Sequence, residues 1–137
     1  NGELVQLTLD DSIVKTAYDK ATAEAMQTKL SNATSLEGLS DEERGAYNTR
    51  SILAQAIGVG DIETSIGTFE LRAGDKVLLC TDGVHDNLTD RQIQELLQED
   101  VSANALADGI ARAAHHTSQG SSFRSKQDDI SAIVLQY

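Results

Sequence analysis

Proline is absent from these 137 residues, and cysteine occurs once. The missing proline carries no functional reading. The lone Cys80 excludes an intrachain disulfide and makes a reducing interior, the cytoplasm, the simpler home. Its place in an apolar run predicts a small buried thiol rather than a reactive one. Long hydrophobic runs are missing too, since nothing approaches the ~18 residues of a membrane span. The opening NGELVQLTLDD has neither the basic nor the apolar region of a signal peptide. It also starts without methionine, which suggests a chain cut from something longer. Basic charge is scarce: 11 Lys and Arg stand against 22 Asp and Glu, a formal net charge of −11. Nucleic-acid backbones and anionic membranes repel such a chain, so neither is an expected partner. There is no glycine-rich phosphate loop, zinc-ligand spacing or nucleophile elbow. LLCTDG has one aspartate after its apolar run, where a haloacid-dehalogenase-type phosphatase needs two spaced one apart.

The remaining sequence reads as one domain, or part of one, with strands and helices mixed. Glu3–Leu9 has strand-like spacing, and Asn1-Gly2 before it suits a hairpin tip. Thr16–Leu30 is rich in helix formers but has a thin apolar face, which predicts a lightly packed helix followed by a loop over Ser31–Gly38. Ser40 and Glu43 form a capping box, predicting a helix to Ile57 that buries Tyr47, Ile52, Leu53, Ala56 and Ile57, with Gly45 a candidate break and Gly58 the stop. Glu63–Leu71 and Lys76–Cys80 flank the turn Ala73-Gly74-Asp75 and suggest an antiparallel hairpin. Thr89 and Gln92 form a second capping box before Ile93, Leu96 and Leu97. Ser102 caps a further helix with Leu106, Ile110, Ala113 and Ala114 inward, and Ile130–Tyr137 is a β-branched final strand.

Carboxylates at strand ends are the candidate chemistry. Asp82 follows the apolar run, Gly83 permits a sharp turn, and Asp86 is close enough to face the same pocket. Asp128-Asp129 precedes the last strand. If that strand lies beside Val77–Cys80, Asp82 and Asp128 approach each other, and a hard Mg²⁺ or Mn²⁺ removes their repulsion. The competing reading is structural: Asp82 bonds local amides and Asp86 prepares the Thr89 cap. His85 lies between the loop aspartates and is a candidate proton shuttle. His115 and His116 are adjacent, point about 100° apart on a helix, and suit a solvated helix end better than a metal site.

Taken in order, four segments resemble the C-terminal part of the metal-dependent, type 2C serine/threonine protein phosphatases. NGELVQLTLDDS looks like the strand leading into the family's Asp-His-Ser, with Asp11 where histidine is usual. LSDEERGAYNTRSILAQAIG is similar to the stretch ending in Arg-Ala-Leu-Gly, with Gln55 for arginine. GTFELRAGDKVLLCTDGVHDNLTD, the most specific, matches Gly-Asp-x-(apolar) and Ser-Asp-Gly-(apolar)-x-Asp, with Thr81 for serine. QDDISAIVLQY resembles the terminal Asp-Asn-(Ile)-Thr strand, with Asp129 for asparagine and Ser131 for threonine.

The resemblance implies an α+β fold, a portion of a four-layer αββα sandwich with antiparallel sheets. Residues 1–137 would be the C-terminal part of one phosphatase domain, with a variable flap over about 12–38. The family hydrolyses phosphoserine and phosphothreonine in proteins, the products of kinases, using water held by two Mn²⁺ or Mg²⁺ ions. By position, Asp82 and Asp128 would ligate one ion of the pair and Asp86 a third, weaker one, with Gly83 clearing room for an ion. The family's Asp-Gly-x-Gly-Gly motif and phosphate-binding arginine do not occur in this chain, so its partner in the site would be the N-terminal part of the same domain. The alternative is a non-catalytic, phosphatase-like binding or regulatory module with an incomplete site.

Overall fold

Side-chain oxygens placed just ahead of helix-forming stretches start four of the six helices found among the described residues, 2–58 and 61–137, of this computed structural model. The chain divides into two units, Val5–Thr68 and residues 2–4 with Phe69–Tyr137.

The first unit holds α1 (Ile13–Ala17), α2 (Lys20–Ser31) and α3 (Asp41–Thr49). Where one helix was expected over Thr16–Leu30, the chain breaks at Tyr18-Asp19. Asp19 is extended, and its carboxylate accepts from the amide and hydroxyl of Thr22, which starts α2 afresh. The helix is less lightly packed than its thin stripe suggested, since it buries Ala23, Met26, Gln27 and Leu30. The strand expected over Glu3–Leu9 is not formed. Gln27 instead holds this stretch through its side-chain amide, bonding Gln6 and the backbone of Asp10, and Val5 and Leu7 stay exposed. Asn1, half of the expected hairpin tip, lies outside the described residues, while Gly2 has a positive φ of 72°.

The Ser40–Glu43 capping box forms as read, and Gly45 continues the helix. However, α3 ends at Thr49, well short of Ile57. Tertiary pairing wins here: the Ile13 amide donates to the Ile52 carbonyl at 2.8 Å and the Ala54 amide to Asp11 at 2.8 Å, an antiparallel bridge that pulls the backbone out of the helix. Tyr47 is buried as expected, under the Arg50 guanidinium at 3.8 Å. Ile52, Leu53 and Ile57 are exposed instead, Ile57 almost fully at 95%, and Ala56 is half-buried.

In the second unit, β1 (Lys76–Cys80) and β2 (Ala132–Gln136) form a two-stranded antiparallel sheet, in register from Lys76 opposite Gln136 to Cys80 opposite Ala132. The expected hairpin partner of β1, Glu63–Leu71, is not a strand. The turn before β1 does form: Asp75 accepts from the Arg72 amide at 2.7 Å, and Gly74, at φ 94°, donates to the Tyr137 carbonyl. That bond ties the turn to the end of β2 and so favours the distant strand. Then follow α4 (Asp82–His85), α5 (Asp90–Leu97) and α6 (Ala103–Ser118).

Period-2 alternation sends Leu78 and Val134 toward the helices, where Val134 joins Val84, Leu88, Ile93, Leu97, Leu106, Ile110 and Ala114 in one core. Leu79, Ile133 and Leu135 point the other way and are exposed. Cys80, expected buried, is exposed at the end of β1. The fold is thus α+β, with one antiparallel sheet among the described residues. No helix among them is long and apolar enough to cross a membrane.

Three carboxyls of the first unit lie below their ordinary range: Glu43 through bonds from Lys29 and the Ser40 amide, Asp11 through Lys15 and Gln55, and Asp19 through Thr22. A depressed folded pKa gives stability that is present above the unfolded carboxylate value and is lost as pH falls through the folded one. Hydrogen-exchange protection of α2 and α3 should therefore fall below about pH 4, and Lys29→Met should flatten part of that dependence. Protection that is constant down to about pH 2 would contradict this.

Candidate functional site

The sheet continues past its last paired residues. Beyond Cys80, the Thr81 amide donates to the Ser131 carbonyl at 3.1 Å, while its hydroxyl donates to the Asp129 carbonyl at 2.8 Å and accepts from the Ser131 amide at 3.0 Å. Thr81 is extended, and α4 starts at the next residue. Asp82 opens this single turn and Asp86 follows its end, so spacing of four puts both carboxylates on one face.

Gly83 does not clear room for an ion as expected. A Cβ there would lie 2.4 Å from the Asp129 carbonyl oxygen and 3.0 Å from Ile130 Cγ1. Its φ is not in the left-handed region, so close backbone approach, not turn geometry, requires glycine. The space it leaves is taken by the backbone of Asp129, which carries Asp128 up to α4.

Asn87, 1% exposed, completes the arrangement. Its amide nitrogen donates to the carbonyls of Gly83 at 2.9 Å and Lys126 at 2.8 Å, and its oxygen accepts from the Lys126 amide at 2.9 Å. Both backbone groups of Lys126 are therefore held by one side chain. From that anchor the Lys126 ammonium reaches Asp86 at 2.5 Å, Asp128 at 3.1 Å and Asp82 at 3.5 Å. The three predicted carboxylates do come together, and they do so around a lysine that sequence reasoning passed over.

Burial works to lower the pKa of Lys126, but its bonds to Asp86 and Asp128 outweigh that and hold it above the ordinary lysine value. Lys126 and then the Asp129 amide hold the Asp128 carboxyl below its usual range. Asp86 is buried at 4% exposure, whereas Asp82 is exposed. Three carboxylate oxygens within 3.5 Å of one cationic atom are a donor set that suits a hard divalent ion. The oxygens surround the ammonium, however, and among the described residues no group of three or more His, Cys, Asp or Glu side chains is placed to hold a metal ion as it stands.

The other candidates fall outside the cluster. The His85 carbonyl accepts from the buried Arg124 guanidinium. His115 and His116 are exposed near the end of α6, as their adjacency suggested. Asp129 is exposed and contributes its carbonyl to Thr81. Lys126 carried no signal beyond standing two residues before Asp128. Asn87 could have been suspected as a polar side chain followed at once by the apolar Leu88.

Residues 16–137 match the family of stage II sporulation protein E (SpoIIE). Two Mycobacterium tuberculosis proteins, both called serine/threonine protein phosphatase PstP, from strains CDC 1551/Oshkosh and ATCC 25618/H37Rv, are each 33% identical over 98 residues. That alignment covers 72% of this chain and 16% of the relative, so the chain spans a small part of the curated relatives it matches. No solved structure matches.

The close approach at Gly83 can be tested against a glycine without such a neighbour. Gly83→Ala should destabilise the protein by about 2 kcal/mol through overpacking. Gly109→Ala, in α6 with nothing within 4 Å of its Cβ position, should be neutral or stabilising. Urea denaturation of both variants checks this, and equal effects would refute the role given to Gly83.

Proposed function

The chain belongs to the stage II sporulation protein E family, which is type 2C phosphatase-like, and on that premise we propose that it supplies part of the active site of a metal-dependent protein serine/threonine phosphatase. The observation that carries this reading is the convergence of Asp82, Asp86 and Asp128 on one point from two distant segments. The reaction is hydrolysis of phosphoserine or phosphothreonine in a protein that a kinase has modified.

Asp82 and Asp128 would hold one ion of a Mn²⁺ or Mg²⁺ pair, and Asp86 would serve a third, weaker ion. Bound there, such ions lower the pKa of a water nucleophile and neutralise charge on the phosphoryl oxygens. Thr81 keeps the two segments in register, Gly83 lets them touch, and Asn87 fixes the backbone beside Asp128. The exposed face of Leu79, Ile133 and Leu135 suits a second sheet from sequence outside this chain, which would complete a four-layer αββα sandwich. That sequence would also supply the remaining metal carboxylate. The reading places the enzyme in the cytoplasm.

One observation favours a second reading. A lysine already sits where a cation is wanted, as it would in a non-catalytic module that keeps the fold and has replaced the ion.

The intact protein should hydrolyse phosphoserine or phosphothreonine peptides in Mn²⁺ or Mg²⁺ and lose that activity in EDTA. Asp82→Asn should lower turnover by about 100-fold, with Asp86→Ala milder, and residues 1–137 alone should be nearly inactive. Activity that survives EDTA would refute the metal mechanism, and its complete absence in saturating Mn²⁺ would favour the non-catalytic module.

A further inference from the structure

Three features of Lys126 bear on how the site fills. Its ammonium offers three N–H donors from a compact charge, and three carboxylates lie within 3.5 Å of it. Its backbone is held at both amide and carbonyl by buried Asn87, so any rearrangement is confined to the side chain. That side chain is 25% exposed and thus has a path to water.

We propose that Lys126 is a tethered counter-ion that occupies the carboxylate cluster in the metal-free protein and is displaced when a divalent cation enters. This rests on the metal-site reading above and adds what sets the metal concentration at which the site fills. Without a cation, three converging carboxylates repel one another, and the buried Asp86 has the fewest routes to solvation. The ammonium relieves that repulsion but leaves the cluster net negative, so a divalent ion remains attracted. Ion and ammonium cannot share the same oxygens, because two cations at that spacing repel strongly in a partly buried site. Metal binding therefore competes with an internal ligand whose effective concentration is set by its anchor. The apparent dissociation constant is the intrinsic one divided by the fraction of molecules whose lysine has swung out.

The test uses the intact protein stripped with EDTA and dialysed, with Mn²⁺ binding measured by calorimetry. Lys126→Met should bind Mn²⁺ about tenfold more tightly than wild type, as removal of a competitor present about nine-tenths of the time requires. In EDTA the same variant should melt several degrees lower, because the carboxylates lose their counter-ion. Lys126→Arg, which keeps the charge, should stay near wild type in metal-free stability. Unchanged or weaker Mn²⁺ binding by a natively folded Lys126→Met overturns the proposal, including the case in which only the Michaelis constant rises because the lysine binds substrate phosphate. Failure of both wild type and variant to bind Mn²⁺ would instead remove the metal-site reading beneath it. A measurement on wild type guards against a variant that does not fold: the Lys126 side-chain resonance should shift on Mg²⁺ addition, and one that stays in place while Mg²⁺ binds overturns the displacement.

Discussion

From Thr81 to Gly83 the chain lies against residues 129–131, with no side chain between the two backbones at Gly83, and the geometry of the site depends on that contact. The β1–β2 ladder sets the register, and Thr81 extends it through two hydroxyl bonds and one amide bond. Gly83 then allows an approach that any side chain would block. Because both segments run on from the sheet, Asp82 and Asp128 arrive at its end, each within 3.5 Å of the Lys126 ammonium.

Charge adds a second constraint to the first. Bringing three carboxylates together in a strongly acidic chain costs energy, and Lys126 offsets part of that cost without leaving the backbone position that Asn87 dictates. Under the proposal above, the arrangement stabilises the protein without a metal and raises the demand on any ion that would replace the lysine. A phosphatase site and a merely structural ion cluster thus share the same residues here, and they differ in whether the ammonium yields.

Local chemistry was legible wherever it acts over a few residues. Both capping boxes, the Ser102 cap, the turn at Gly74, and the identities of β1 and β2 depend on spacing that can be read directly. The structure departs from the local pattern where a longer-range bond competes with local preference. The Ser12–Leu53 bridge ended α3 early, Gln27 held the N-terminal stretch outside any ladder, and Tyr137 drew the Gly74 turn toward the distant strand. The break between α1 and α2 was a local signal that helix-forming composition masked.

By itself, the sequence determined the starts of α3, α5 and α6, the strands β1 and β2, and which carboxylates were available, because these depend on side-chain type and short spacing. It also carried the family resemblance, since motifs are ordered along a chain. Only the tertiary structure decided that β1 pairs with β2, that Gly83 serves close packing, and that Lys126 sits among Asp82, Asp86 and Asp128. Those facts depend on which distant backbones touch. A lysine two residues from an aspartate is unremarkable until a buried asparagine turns it inward.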